Sequence, residues 1–174
     1  PAPGKDGKRP STAAYDSAIS RTLEMIRLDG DHFERVAGSP GAFPPRLDLA
    51  LEKLKDLRYG ENPHQKASWY APAGSARVGL GAASILQGKE LSYTNLLDVD
   101  AAARIVLEFD EPVAAVIKHT NPCGVAVGES AVEAYVRARE ADSLAAFGGI
   151  VGLNRRVDAE TARALTSTFI EAVV

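Results

Sequence analysis

The sequence has few of the residues that build disulfide frameworks and thiolate metal sites. Cys123 is the only cysteine among 174 residues. No disulfide can therefore close within the chain, and no CxxC pair can bind zinc. We expect no metal, and a chain with so little cysteine is typical of the reducing cytoplasm.

Long apolar runs and a large excess of one charge are also missing. No apolar run approaches the about 18 residues of a membrane-spanning helix, and the initial PAPGKDGKRP lacks the hydrophobic region of a signal peptide. The net charge is only −3, whereas a nucleic-acid or acidic-membrane surface requires a basic excess. We predict a soluble protein with no nucleic-acid or membrane partner, in which local positive groups meet any anionic ligand.

The composition, with 45% hydrophobic residues, is sufficient for one domain, or for one domain and part of another. Residues 1–10 combine three prolines with two glycines and three Lys/Arg, and predict a flexible tail or a processing scar, to which we assign no function. A hydroxyl cap at Ser11 or Thr12 and the apolar spacing after it predict a helix. Residues 28–45 are rich in Gly, Pro and Asp and predict a loop or linker.

From Leu47 onward, strand and helix patterns alternate. Strands are predicted near 47–51, 66–70, 113–117, 147–153 and 169–174, and helices at 96–109, at 130–141 and after a cap at Asp158. This order is typical of βαβ crossovers, so we predict an α/β fold with a mainly parallel sheet and helices on both faces. The last apolar strand has no following element to cover it, which suggests a fold that is cut short.

The most informative stretch is VAAVIKHTNPCGVAVG, residues 113–128. Its first five residues include three β-branched ones, which is typical of a strand buried on both faces, and the later Asn-Pro and Gly are turn residues. Lys118 and His119 would then lie at a strand's carboxyl end, where open α/β sheets bind ligands. On this stretch alone, a solvated lysine and a loop histidine that merely end a strand remain an alternative.

A second polar stretch, LRYGENPHQ, covers residues 57–65. Arg58 offers a bidentate fork for phosphate or carboxylate, Tyr59 a flat stacking face, and His64 a donor or acceptor near neutral pH. A turn with a surface salt bridge explains the same residues, and the local pattern leaves that alternative open.

Four short motifs follow one another along the chain. They are RYGENPHQ at 58–65, QGKELSYTN at 87–95, KHTNPCG at 118–124 and AFGGI at 146–150. Together they resemble the bifunctional purine-biosynthesis family that joins AICAR transformylase to IMP cyclohydrolase.

The resemblance extends from about Ser11 to Val174. Residues 11–45 resemble the end of the cyclohydrolase domain and its linker, and residues 46–174 resemble the first, incomplete part of the transformylase domain, which has a cytidine-deaminase-like fold. Residues 1–10 match nothing in the family.

The family's chemistry implies formyl transfer from 10-formyltetrahydrofolate to the 5-amino group of AICAR, giving FAICAR, which the parent protein also cyclises to IMP. It implies a homodimer formed through the transformylase domain, with folate as co-substrate and no metal. The alternative is a non-catalytic, nucleotide-binding piece that needs the missing carboxyl-terminal part or a partner subunit.

The family's catalytic pair falls on Lys118 and His119. His119 would accept the proton of the attacking amine, since the unperturbed histidine pKa of about 6.5 lies near operating pH. Lys118 would stabilise the oxyanion that forms on the formyl group. Because strand neighbours point to opposite faces, the two side chains converge only if the backbone turns there.

The remaining family positions are implied to bind AICAR. Arg58 and Tyr59 would hold its phosphate and adjacent groups, and His64 would lie near the carboxamide and amine. Gly148 and Glu171 would contact the nucleotide, the glycine because backbone can approach a ligand closely where no side chain intervenes.

Other motif residues have no predicted role, namely Asn62, Lys89, Tyr93 and Asn95. A cysteine nucleophile formed by Cys123 and His119 would lack an anchoring acid, and a cysteine between Pro122 and Gly124 is more often a small buried filler. A zinc deaminase would need a second cysteine in its PCxxC motif, and none follows Cys123.

Overall fold

The computed structural model describes residues 12–35, 47 and 49–174, which belong to two compact units, Pro1–Asp48 and Leu49–Val174. The predicted tail at 1–10 and most of the predicted linker lie outside the described residues. Among the described residues, no helix is long and apolar enough to cross a membrane.

The described part of the first unit contains one helix and one hairpin. Helix α1 spans Thr12–Glu24, as its apolar spacing predicted, and strands β1 (Ile26–Asp29) and β2 (His32–Arg35) pair antiparallel. The loop predicted from residue 28 is therefore partly wrong. Gly30, with φ 59°, lies in the tight turn that joins the two strands. A glycine that predicts a linker here closes a hairpin instead.

The second unit contains all the remaining elements. They are β3 (Leu51–Asp56), β4 (Ser68–Pro72), a 3-10 turn (Gly79–Ala82), α2 (Tyr93–Val106), β5 (Val113–Lys118), β6 (Asn121–Val127), α3 (Ala131–Ala141), α4 (Ser143–Ala146), β7 (Ile150–Leu153), α5 (Ala159–Leu165) and β8 (Ala172–Val173). β3 and β4 form an antiparallel pair, and the other four strands form a sheet in the order β6-β5-β7-β8.

The prediction of a mainly parallel sheet is wrong. β5 runs antiparallel to both β6 and β7, and among the described strands only β7 and β8 pair in parallel. The physical reason is a reversal directly after β5: Lys118 pairs with Asn121, so the Asn-Pro predicted as a turn begins the next strand. Pro122 is tolerated because β6 is an edge strand, and the register shift around Cys123 forms a bulge there.

Helices cover both faces of this sheet, as predicted, and β5 lies between two cores. The first core contains Val99, Ala102, Val106, Val113, Ala115, Ile117 and Ile150, and packs α2 against the sheet. The second contains Ala114, Val116, Ala134, Tyr135, Ala138, Ala146, Val151 and Leu165, and packs α3, α4 and α5 against the opposite face. All residues of 113–117 are at most 1% exposed, and each such Val or Ile contributes about 1.5–3 kcal/mol of hydrophobic stabilisation.

Polar caps set where the helices begin. Ser130 accepts from the backbone N–H of Glu133, and Asp158 accepts from that of Thr161, as the sequence predicted. α2 starts earlier than predicted, because the buried Ser92 forms a capping box with Asn95. Asn95, which had no predicted role, thus stabilises the start of α2.

Gly124 tests the close packing of β6 against α3. A Cβ at this position would overlap the carbonyl oxygen of Ala138 and lie 2.9 Å from the Cβ of Ala141. We predict that Gly124→Ala destabilises the chain by about 2–3 kcal/mol, as overpacking does, measured from urea unfolding midpoints. Gly81→Ala is the matched control, because its Cβ would meet nothing within 4 Å. Equal midpoints for the two variants would contradict the packing.

Candidate active site

The chain reverses from β5 into β6 through a two-residue turn, His119-Thr120. Their φ angles are 53° and 62°, and Lys118 and Asn121 pair on either side. Positive φ at both central residues defines the type I′ turn, which is usually built from Asn and Gly. A left-handed conformation costs a non-glycine residue about 1–2 kcal/mol, and it is least suited to a β-branched side chain such as threonine.

Several hydrogen bonds hold this strained turn. The backbone N–H of Thr120 donates to Oδ1 of Asp98 over 2.6 Å. The carbonyl of His119 accepts from the Thr120 hydroxyl at 2.7 Å and from the Asn121 side-chain amide at 2.8 Å. A hydrogen bond to a charged group contributes about 1.5–3 kcal/mol, which is comparable to the cost of one left-handed residue.

The backbone turns immediately after Lys118, which is the condition for the side chains of Lys118 and His119 to converge. Lys118 Nζ donates to the carbonyl oxygen of Phe147 over 2.9 Å. Lys118 is half-buried and His119 is exposed. The lysine is thus held against the sheet edge, while the imidazole is accessible to a ligand.

Arg58 and Tyr59 form a compact polar group with Glu171. Arg58 Nη2 donates to the Tyr59 hydroxyl over 2.9 Å, and the guanidinium carbon lies 4.8 Å from the centre of the tyrosine ring. The same Nη2 is 3.5 Å from Oε1 of Glu171, and both side chains are about one-third exposed. The guanidinium therefore has an aromatic face, a hydroxyl and a carboxylate around it while it remains open to solvent.

Gly148 and Glu171 lie where β7 and β8 begin. Gly148 has φ 72° and donates its N–H to the Phe169 carbonyl over 2.9 Å. Glu171 donates its backbone N–H to the Gly149 carbonyl, also over 2.9 Å. A Cβ at Gly148 would lie 3.5 Å from the Phe169 ring, an ordinary contact distance. The positive φ, and not only a close approach by a ligand, therefore explains why glycine occupies this position.

Strand pairing brings these residues to one edge of the sheet. Ile117 pairs with Ile150, and Ile150 pairs with Ala172. The carboxyl end of β5 therefore lies beside the amino ends of β7 and β8. We call this the His119 edge, and its predicted residues are Arg58, Tyr59, Lys118, His119, Gly148 and Glu171.

His64 lies in a separate tight turn and is exposed. The turn is closed by hydrogen bonds from Gln65 N–H to the Asn62 carbonyl (2.9 Å) and from Asn62 N–H to Gln65 Oε1 (2.8 Å). Among residues 49–174, no hydrogen bond or ion pair joins His64 to the His119 edge. Its role in AICAR binding stays a prediction, while Asn62 has a structural role in the turn.

Cys123 is half-buried and packs against the core beneath α3. Burial raises the pKa of the thiol, and the Asp142 carboxylate raises it further. A raised pKa leaves less thiolate at neutral pH, which argues against a nucleophile. Within the described residues, no group of three or more His, Cys, Asp or Glu side chains could hold a metal ion.

Asp98 is the functional candidate that sequence reasoning missed. It lies on α2 and its observed partner is a backbone amide 22 residues away. No local pattern distinguishes it from the solvent-exposed Asp100 two residues later.

Comparison with known proteins agrees with the family that the four motifs resemble. The model of the AICARFT/IMPCHase bienzyme family matches residues 10–174. The bifunctional purine biosynthesis protein PurH of Gloeothece citriformis is 52% identical over 165 residues, covering 94% of this chain and 30% of that protein. The PurH proteins of Microcystis aeruginosa and Myxococcus xanthus are 51% and 52% identical over 165 residues, each covering 94% of this chain, and 29% and 30% of those proteins.

The chain thus spans about 30% of the length of these curated relatives. Since the family model matches nearly all of its residues, the chain belongs to the AICARFT/IMPCHase bienzyme family.

Proposed function

We propose that the His119 edge is part of a formyltransferase site. In the whole bienzyme it would transfer formyl from 10-formyltetrahydrofolate to the 5-amino group of AICAR, giving FAICAR, which the same protein would cyclise to IMP. The observation that carries the proposal is the strained His119-Thr120 turn, because strained backbone of this kind clusters at functional sites. Its position beside Lys118 and Arg58 adds the positive charges that a phosphorylated substrate requires.

His119 is the proposed proton acceptor. The amine of AICAR is conjugated with its ring and is a weak nucleophile, so its proton must leave as the nitrogen attacks. The nitrogen bonds to the formyl carbon as its proton goes to the imidazole. The bond from that carbon to the folate nitrogen then breaks, and the folate nitrogen leaves as N–H with the proton that the imidazolium returns. The exposure of His119 makes its ring accessible to the substrate.

Lys118 is the proposed stabiliser of the developing oxyanion. Its hydrogen bond to the Phe147 carbonyl fixes the ammonium group at the edge and leaves further N–H donors for a ligand. A positive group that is positioned before the reaction requires little reorganisation as charge develops on the formyl oxygen.

Arg58, Tyr59, Gly148 and Glu171 are the proposed nucleotide contacts, with His64 near the carboxamide. Arg58 is already oriented by Tyr59 and Glu171, and its planar fork suits a phosphate. When phosphate arrives, it would replace part of the Glu171 contact.

The proposed assignment of domains places 11–45 in the cyclohydrolase domain with its linker and 46–174 in the transformylase domain. The division of the chain into two units at Asp48 and Leu49 supports a boundary near this point. We also propose that the whole protein is a cytoplasmic homodimer that combines residues of two subunits in each formyl-transfer site.

Replacing His119 tests the proton acceptor in the whole bienzyme. We predict that His119→Ala lowers kcat for FAICAR formation by about 10²-fold or more, the range expected on loss of a general base. His119→Asn should lower kcat by a similar factor. Asparagine tolerates the left-handed backbone angles of this position, but its amide cannot accept the proton. His32→Ala, at an exposed histidine of β2, is the control. Near-wild-type turnover in either His119 variant would refute the assignment.

Arg58 tests nucleotide binding. We predict that Arg58→Ala raises KM for AICAR by about 10–100-fold with a smaller change in kcat, because a charge-assisted contact of about 1.5–3 kcal/mol is lost. Arg104→Ala is the control, since that exposed side chain pairs only weakly with Asp100 at 3.6 Å. An unchanged KM in Arg58→Ala, measured by steady-state kinetics, would contradict the phosphate role.

The second candidate function is nucleotide binding without turnover by the 174-residue chain alone. It is favoured by the chain's coverage of about 30% of its relatives. We predict that the isolated chain binds AICAR in a calorimetric titration but forms no detectable FAICAR when folate is added. Measurable FAICAR formation would exclude this candidate.

A further inference from the structure

We propose that Asp98 is a positioning residue for formyl transfer, whose carboxylate holds the His119-Thr120 turn in the conformation that presents the imidazole. The inference rests on the proposed function, since His119 is taken as the proton acceptor. Asp98 acts through the backbone of the turn rather than on the substrate.

The turn leaves one backbone donor that requires an acceptor from outside the β5–β6 hairpin. The N–H of Thr120 belongs to the loop and has no partner in the β5–β6 ladder, where Lys118 and Asn121 form the last pair. Asp98 Oδ1 accepts this N–H over 2.6 Å. Without that acceptor, two left-handed residues would depend on hydrogen bonds made within the turn alone.

Asp98 is itself held in place by α2. The next residue, Val99, is buried in the core between α2 and the sheet. One turn later, the backbone of Ala102 packs so closely on β7 that a Cβ at Gly152 would lie 2.8 Å from the Ala102 carbonyl oxygen. The helix can therefore neither rotate nor lift without disturbing the core, and the carboxylate keeps its position.

The same helix is connected to the proposed nucleotide contacts. Its first residue, Tyr93, donates its N–H to the carbonyl of Tyr59 over 3.0 Å, and the N–H of Arg58 donates to the carbonyl of Leu91 over 3.1 Å. α2 thus links the segment that carries Arg58 to the turn that carries His119. Asp98 sets the position of the acceptor relative to the proposed phosphate-binding group.

The experiment uses four variants of the whole bienzyme. We expect Asp98→Ala to lower kcat for FAICAR formation by about 10–100-fold, as small misplacements of a catalytic group do. Asp98→Asn keeps an acceptor oxygen and should recover most of this loss. Thr120→Gly added to Asp98→Ala should also recover most of it, because glycine adopts left-handed angles without strain. Asp100→Ala, two residues along α2, is the control and should match the parent.

Several kinetic outcomes would overturn the proposal. They are an unchanged kcat in Asp98→Ala, a loss in Asp98→Asn as large as that in Asp98→Ala, and failure of Thr120→Gly to recover activity. The second outcome would instead mean that the charge of Asp98 acts on the reaction. Urea unfolding midpoints of the same preparations show whether the variants remain folded.

Amide exchange distinguishes this proposal from the proposed function. Residue-resolved hydrogen exchange of the whole bienzyme should show faster exchange at the Thr120 N–H in Asp98→Ala and slow exchange again in Asp98→Asn. Unchanged exchange would refute the positioning role whatever the kinetics. Faster exchange together with full activity in His119→Ala would instead refute the role of His119.

Discussion

The buried strand β5 is the constraint on which the rest of the second unit depends. Both of its faces are covered and both of its edges are paired, with β6 on one side and β7 on the other. Asn154 fixes its start: the side chain accepts the N–H of Val113 over 2.9 Å and donates to the carbonyls of Phe109 and Glu111 over 2.9 and 2.8 Å. A strand held on four sides cannot shift its register, so the turn at its end has a fixed position.

Local signals predicted most elements but not the directions of the strands. The apolar run of β5 and the polar caps of α3 and α5 depend on nearby residues, and the structure confirms them. Strand direction depended on where the chain reversed. Asn121-Pro122 carried the usual turn residues yet lies in β6, whereas His119-Thr120, without a glycine, forms the turn. Tertiary contacts, such as the hydrogen bond to the Asp98 carboxylate, stabilise this turn without glycine. Such contacts cannot be predicted from neighbouring residues in the sequence.

Residue chemistry predicted part of the candidate site for a similar reason. The adjacent Arg58 and Tyr59 could be identified as a candidate anion-binding pair, and Lys118 and His119 as a pair at a strand end. The fold then added Glu171 to the first pair and the Phe147 carbonyl to the second. Asp98 was missed because its observed contact is a backbone amide, and any residue except proline supplies one. Asn95 belonged to a recognised motif, yet its observed contacts cap a helix.

The β5–β6 hairpin also determines the entropic cost of forming the His119 edge. Its pairs run from Lys118–Asn121 to Val113–Val127, whereas β5 meets β7 only after the whole of α3 and α4 has been placed. Closing a short loop costs less entropy than closing a long one. The proposed catalytic pair, Lys118 and His119, therefore lies on the most local pairing of its sheet, and the more distant segments add the proposed nucleotide contacts to a turn whose own closure is the least costly.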